Sequence, residues 1–246
     1  MSQDIILIIL RLLIISPILF FTIKNRNRDS FNTIIVFILF FFINELLLYS
    51  YTIETFHFFD QNWNWSGKTL AILGSILFLI FYKKYPSVEY GITFHQQPGS
   101  IRFSLIILSV FIFTAILIGF FASDVTSFNL ETLIFQLTVP GFDEELAFRG
   151  IMIGLLSQVL VSDWKIKKLN LGNPSILITS ILFGLVHGLQ LDKDFNLSFN
   201  LAYFLWTFSI GFALGWVFVK SKSLLFPIIL HNTLNFVMNL IPMLFL

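Results

Sequence analysis

The sequence predicts an all-α fold, a polytopic bundle of about eight membrane-spanning helices around a cavity inside the membrane. The chain has 246 residues, of which 57% are hydrophobic and 12% charged, roughly half the charged fraction of a soluble domain. Its apolar runs are long and continuous, without the alternation that barrel strands require. Acidic, basic and imidazole side chains nevertheless occur inside these runs, where they are costly and usually functional.

The predicted spans follow from the roughly 20 apolar residues needed to cross a bilayer. They are 4–23, 31–53, 68–82, 103–122, 130–161, 174–190, 199–219 and 223–244. We interpret the first as a retained span, because no basic residues precede it and no small-residue cleavage site follows it. Pro140 and Gly141 fall inside the fifth, so a kink or break is expected there. Asn173 and Pro174 begin the sixth as N-cap and first helical residue.

Basic residues are unevenly distributed between the connections that join these spans. The odd-numbered connections hold 11 of the 15, namely Lys24, Arg26, Arg28, Lys83, Lys84, Arg102, Lys165, Lys167, Lys168, Lys220 and Lys222. The even-numbered connections hold Lys68 and Lys193, and the spans hold Arg11 and Arg149. The positive-inside rule therefore predicts that the odd-numbered connections are cytoplasmic and that both termini face outward.

Composition excludes several classes of function. The absence of cysteine excludes disulfides, a thiol nucleophile and cysteine-ligated metal. A net charge of +1, without a basic stripe, gives no indication of a nucleic-acid partner. With no internal repeat or soluble segment, we expect a single membrane domain over 1–246. Its small size suggests a multi-pass protein of a prokaryotic plasma membrane.

An acidic pair stands in the middle of the fifth span. Glu145 and Arg149 are four residues apart and share one helix face, so we predict an intramembrane ion pair. A pair of this kind often only holds helices together, and for Glu145 we favour that interpretation. Glu144 lies about 100° around the helix. We expect it to lack that partner and to be available as a general base.

The same four-residue step occurs in two later spans. Phe183 and His187 share a face, so the phenyl ring can form one wall of a pocket that the imidazole enters. His231 and Asn235 also point together and offer two donors that could stabilise an oxyanion. Each group alone could be an interhelical hydrogen bond. Their combination with Glu144 favours a buried site where the three spans meet.

Arg11 and Glu45 form a second charged pair, in the first two spans. Each lies a similar distance from the outer end of its span, so adjacent antiparallel helices would bring them to the same depth. We predict a salt bridge there with a structural role and no catalytic one.

The three motifs, in their order, resemble those of the CPBP intramembrane proteases. The motifs are Glu144-Glu145-x-x-x-Arg149, Phe183-x-x-x-His187 and His231-x-x-x-Asn235. That family includes the type II CAAX prenyl endopeptidases and the Abi or bacteriocin-immunity proteins. The resemblance covers the C-terminal half, which divides the domain into N-terminal spans over 1–128 without assignment and a catalytic core over 129–241.

The resemblance implies an intramembrane endopeptidase that acts on a membrane-associated peptide or protein at the lipid bilayer. Glu144, assisted by His187, would activate water, and His231 and Asn235 would hold the oxyanion. Glu145 and Arg149 would be supporting residues, as would Phe183 as the wall of the pocket.

Metal dependence and two other functions remain open from the sequence. Glu144, His187 and His231 would make an acceptable zinc set with an open fourth position. Since a desolvated carboxylate and imidazole can activate water unaided, we favour no cofactor and keep zinc as the alternative. A bacteriocin-immunity or regulatory protein could bind a peptide in the same cavity without cleaving it. A proton-coupled transporter is disfavoured because no inverted repeat is evident.

Overall fold

A computed structural model describes residues 2–59, 61–121, 126–167 and 169–244. Helices dominate this part of the chain: α1 (Ser2–Thr22), α2 (Arg28–Tyr49), α3 (Trp65–Phe81), α4 (Ser100–Phe121), α5 (Leu130–Glu145), α6 (Gly154–Val159), α7 (Pro174–Gly188), α8 (Leu201–Ser221) and α9 (Leu225–Met243). A π-helical segment, Leu146–Ile153, joins α5 to α6. Short 3₁₀ turns occur at Ser50–Thr52, Glu54–Phe56 and Ser87–Tyr90. The predicted all-α bundle is confirmed.

Two small antiparallel strand pairs lie in connections between helices. Strand β1 (Lys165–Ile166) pairs with β2 (Leu169–Asn170) before α7. Strand β3 (Leu189–Leu191) pairs with β4 (Leu197–Phe199), with Leu189 opposite Phe199. This second hairpin takes up the residues at which the predicted sixth and seventh spans end and begin.

The helical segments follow the eight predicted spans closely. Among the described residues, α1, α4, α8, α9 and the helix that begins with α2 are long and apolar enough to cross a membrane. The third and sixth spans correspond to the shorter apolar helices α3 and α7. The fifth corresponds to α5, the π-helical segment and α6 together. The protein is therefore an integral membrane protein.

Successive helices run in opposite directions. At one end, the backbone N–H of Lys24, after α1, donates to the carbonyl of Val159 at 2.9 Å. At the other end, Gln3 donates through its side chain to the carbonyl of Lys193 at 2.9 Å. Odd-numbered connections thus meet at one end and even-numbered ones at the other. Lys168 and residue 122, which entered the sequence predictions, lie outside the described residues.

The position predicted for Lys68 is wrong, because α3 begins three residues earlier than expected. The side chain of Asn64 accepts a hydrogen bond from the backbone N–H of Gly67 at 2.9 Å and so caps the helix at Trp65. Lys68 consequently belongs to the first turn of α3 and not to the connection before it.

Helix α5 is not broken at Pro140 and Gly141, and it continues to Glu145. The side chain of Asn232, on α9, accepts from the backbone N–H of Gly141 at 2.8 Å and donates to the carbonyl of Thr138 at 3.2 Å. Such a side chain satisfies backbone groups near a helix proline. A Cβ at position 141 would lie 2.5 Å from the Asn232 oxygen, so glycine is required for this contact.

The salt bridge predicted between the first two spans is present. Arg11 Nη1 lies 2.7 Å from Glu45 Oε2, and both side chains are buried. The other guanidinium nitrogen, Nη2, donates to the carbonyls of Val186 and Leu189, at 3.1 and 3.2 Å. These carbonyls lie at the end of α7, beside His187. The pair therefore also connects α1 to the end of α7.

Arg11→Met is expected to destabilise the protein by about 3 kcal/mol, because it leaves Glu45 as a buried charge without its partner. Arg11→Met combined with Glu45→Met should be more stable than the single variant, although both lose the two α7 contacts. Denaturant unfolding in detergent micelles measures the difference. Equal loss in both variants would mean that the ion pair does not contribute as described.

Candidate active site

A cavity of about 330 Å³ lies between α5, α7, α8 and α9, beside the start of α3. Its described lining is Trp63, Lys68, Gln136, Pro140, Glu144, Phe183, His187, Tyr203, Trp206, Thr207, Ile210, His231, Leu234, Asn235, Met238 and Asn239. The four candidate catalytic residues from the sequence, Glu144, His187, His231 and Asn235, are all in this lining. Three separate helices thus bring them to one space.

The predicted ion pair between Glu145 and Arg149 lies behind the cavity. Arg149 Nη1 is 2.9 Å from Glu145 Oε1, and both side chains are fully buried. The second terminal nitrogen, Nη2, donates to the carbonyl of Gly211 on α8 at 3.1 Å. The guanidinium carbon also lies 4.7 Å from the centre of the Phe183 ring, a favourable cation–π distance. Arg149 therefore joins the π-helical segment to α7 and α8.

His231 connects the two glutamates, which the sequence did not indicate. Its Nδ1 is 2.7 Å from Glu145 Oε1, and its Nε2 is 3.7 Å from Glu144 Oε2. Glu145 thus accepts from both Arg149 and His231. The acid expected only to support the helices also orients an imidazole of the cavity.

The contact at Nδ1 limits what Nε2 of His231 can do. A carboxylate only accepts hydrogen bonds, so Nδ1 carries a hydrogen when Glu145 is ionised. A neutral His231 of this tautomer presents a lone pair at Nε2. Only the imidazolium donates from Nε2 into the cavity while still donating to Glu145.

Arg149 pairs with Glu145 and not with Glu144, as predicted, but Glu144 has a different partner that the sequence did not indicate. Lys68 Nζ lies 2.8 Å from Glu144 Oε1 and 2.8 Å from Asp143 Oδ2. Both Lys68 and Asp143 were missed as site residues. The position of Lys68 at the edge of an apolar run was a usable signal of a functional residue. The spacing along the chain, however, gave no reason to place it beside Asp143 and Glu144, which lie 75 and 76 positions later.

His187 occupies the other side of the cavity. The centre of its ring is 4.8 Å from that of Phe183 and 5.8 Å from that of Tyr203, both in edge-on contacts. Phe183 is also 6.1 Å from the ring of His231. In the part of the chain that the structure describes, no residue hydrogen bonds to the His187 imidazole, so its nitrogens are available to a molecule in the cavity.

A zinc site needs at least three suitable side chains close together. Among the described residues, no three histidine, cysteine, aspartate or glutamate side chains are placed to hold a metal ion. This includes the zinc set of Glu144, His187 and His231 considered from the sequence.

A comparison with models of protein families gives a match to the C-terminal part of the chain. Residues 126–237 match the family described as Type II CAAX prenyl endopeptidase Rce1-like. This part of the chain is similar to the type II CAAX prenyl endopeptidases, which are membrane proteases of the CPBP family. All four candidate residues of the cavity lie within the matched range. The proteins of that family are described as endopeptidases. No curated protein and no solved structure gives a significant match to the chain.

Proposed function

We propose that the protein is a glutamate-dependent intramembrane endopeptidase that works without a metal. Its substrate is a membrane-associated peptide or protein, in which it hydrolyses one peptide bond. The observation that carries this proposal is the single cavity lined by Glu144, His187, His231 and Asn235. The match of residues 126–237 to the type II CAAX prenyl endopeptidase family supports hydrolysis of a peptide bond.

Glu144 is the general base in this proposal. Its Oε1 is bound to Lys68, which leaves Oε2 to accept a proton from water. His187 holds that water, because its imidazole faces the same cavity without a protein hydrogen bond from the described residues. The water oxygen attacks the carbonyl carbon as its proton moves to Glu144. Glu144 then returns the proton to the leaving nitrogen as the C–N bond breaks.

Asn235 and His231 stabilise the tetrahedral intermediate. The Asn235 amide can donate to the oxyanion in any protonation state of the site, whereas His231 donates from Nε2 as the imidazolium. In that form the charges of the cluster balance: Lys68, Arg149 and His231 oppose Asp143, Glu144 and Glu145. Balanced charges are a condition for burying ionised groups at low cost.

The opposite wall of the cavity indicates what part of a substrate it accepts. Trp206, Ile210, Leu234 and Met238 provide an apolar surface close to the polar group of residues. A pocket of this composition binds apolar side chains, while a few polar groups fix the orientation of the ligand. We therefore propose that an apolar side chain lies next to the bond that is cleaved.

A comparison of two membrane preparations tests this function. One contains the wild-type protein and the other contains Glu144→Gln, and the released peptides are identified in both. The substitution keeps the shape of the side chain and removes the base. We expect a set of peptides to be present with the wild type and absent with the variant, while both proteins accumulate equally and retain their helical content. Identical peptide sets, with biological activity intact in the variant, would favour a binding role instead.

A further inference from the structure

The first 125 residues lie outside the family match, yet one of their side chains reaches the proposed base. We propose that Lys68, on α3, is a positioning residue that holds Glu144 in its reactive orientation. This inference rests on the function proposed above. It extends the active site from the matched region into the N-terminal spans.

The ammonium of Lys68 is held between two carboxylates. It lies 2.8 Å from both Asp143 Oδ2 and Glu144 Oε1, and the side chains of Lys68 and Glu144 are only 13% and 14% exposed. Asp143 is fully buried and lines no part of the cavity. Asp143 therefore fixes the ammonium from behind, and the ammonium fixes one oxygen of Glu144.

The backbone that carries Lys68 is itself fixed against α2. Asn64 caps α3 and also donates to the carbonyl of Leu48 at 3.0 Å. A Cβ at Gly67 would collide with that same carbonyl oxygen, which shows how closely the two helices approach. Lys68 thus extends from a rigid helix start into the cavity, as an element that positions a reactive group must.

The contact selects which oxygen of Glu144 reacts. Oε1 is bound to Lys68, and Oε2 lies towards His231 Nε2, at 3.7 Å. Oε2 is therefore the oxygen that accepts the proton of the attacking water. Lys68 acts only through Glu144, and it neither gains nor loses a proton during hydrolysis.

If Lys68 had a purely structural role, its replacement would have a different effect on cleavage. If Lys68 only joined α3 to α5, removing its charge would lower stability, and cleavage by the remaining folded protein would be unchanged. If Lys68 positions Glu144, the turnover of folded protein falls while substrate affinity is nearly unchanged. The split between kcat and KM therefore separates the two roles.

The absence of cysteine from the chain allows a direct chemical test. Lys68→Cys introduces a single thiol, which 2-bromoethylamine converts to a side chain with a terminal ammonium close to the length of lysine. Iodoacetamide converts the same thiol to a neutral amide. The assay uses a peptide whose release depends on Glu144, with purified protein in proteoliposomes.

We expect Lys68→Cys to lower kcat by about 100-fold, the effect of misplacing a reactive group by about 1 Å, and to change KM less than about threefold. Aminoethylation should restore most of the lost kcat, and the neutral amide should restore none. Unchanged kcat, a change in KM alone, or equal recovery with both reagents would each overturn the proposal.

Lys84→Cys is the matched control. Lys84 also binds a carboxylate, Asp29, at 2.7 Å, but it lies in the connection after α3, away from the cavity. Neither the substitution nor its alkylation should alter cleavage. If Lys68→Cys fails to fold, the double variant Lys68→Met with Asp143→Asn replaces it. This variant removes both charges of the Lys68–Asp143 pair, so no unpaired charge remains from that pair, and the same loss of kcat is expected. Normal kcat in that double variant would also overturn the proposal.

The same assay separates this proposal from the function on which it rests. If Glu144→Gln cleaves as the wild type does, or if no peptide depends on Glu144, the proposed function fails, and the role of Lys68 fails with it. If Glu144→Gln is inactive while Lys68→Cys is fully active, only the role of Lys68 is wrong.

Discussion

His231→Asn is expected to lower kcat by about 100- to 1,000-fold, the usual effect of removing one donor from an oxyanion site. The asparagine amide can occupy the position of Nδ1 and keep the contact with Glu145, but nothing replaces Nε2 in the cavity. Removing the imidazolium leaves one carboxylate of the cluster unopposed, so stability should fall moderately while the fold is retained. Initial rates in proteoliposomes, together with unfolding in detergent, measure the two effects separately.

His231→Gln is the matched comparison for that variant. Its amide can reach the position of Nε2 but not that of Nδ1, so more activity should remain while the contact with Glu145 is lost. If His231→Asn keeps kcat within about tenfold of the wild type, Nε2 does not have the role of donor assigned to it.

Arg149→Met is expected to destabilise the protein by about 5 kcal/mol, the upper range for breaking a buried ion pair. Glu145 is fully buried and, among the described residues, would keep His231 as its one remaining partner. The contact of Arg149 with the Gly211 carbonyl would also be lost. Denaturant unfolding in micelles measures the free energy of unfolding.

Two further variants show whether the unpaired charge causes that loss. Arg149→Met with Glu145→Gln removes both charges and should recover a large part of the stability. Arg149→Lys keeps the charge but cannot bind Glu145 and Gly211 at once, so an intermediate stability is expected. A double variant as unstable as Arg149→Met would contradict an ion pair between these two residues.

The features predicted from the sequence depend on regular geometry. A step of four residues was sufficient to predict the contact of Glu145 with Arg149. Matching depth in antiparallel neighbours was sufficient for Arg11 with Glu45. The positions of the helices followed from the positions of the apolar runs. Each of these inferences requires only one helix, or two helices that follow one another in the chain.

The features that were missed depend on how distant helices meet. His231 binds Glu145 across 86 residues, and Lys68 binds Glu144 across 76. Helical period fixes the direction of a side chain but not which helix it faces, so neither contact could be read from spacing. The unbroken path of α5 past Pro140 depends in the same way on Asn232 from another helix.

Lys68 shows why these contacts matter for function. The sequence separated Glu144 from Glu145 by helical direction and predicted that Arg149 pairs with Glu145 and not with Glu144. In the structure the two acids form ion pairs with different basic side chains. Glu144 pairs with Lys68, and Glu145 pairs with Arg149. His231 lies between the two acids. The proposed base is thus oriented by a residue outside the matched family region.

One measurement most directly tests whether Glu144 activates water without a metal. It is the rate at which purified protein releases a peptide after exhaustive chelation. The measurement uses wild-type protein and Glu144→Gln in proteoliposomes, with a peptide whose release depends on Glu144. The account predicts that the chelated wild type keeps its full rate and that the variant releases no peptide. Loss of the wild-type rate on chelation, restored by added zinc, would contradict it, as would release by the variant.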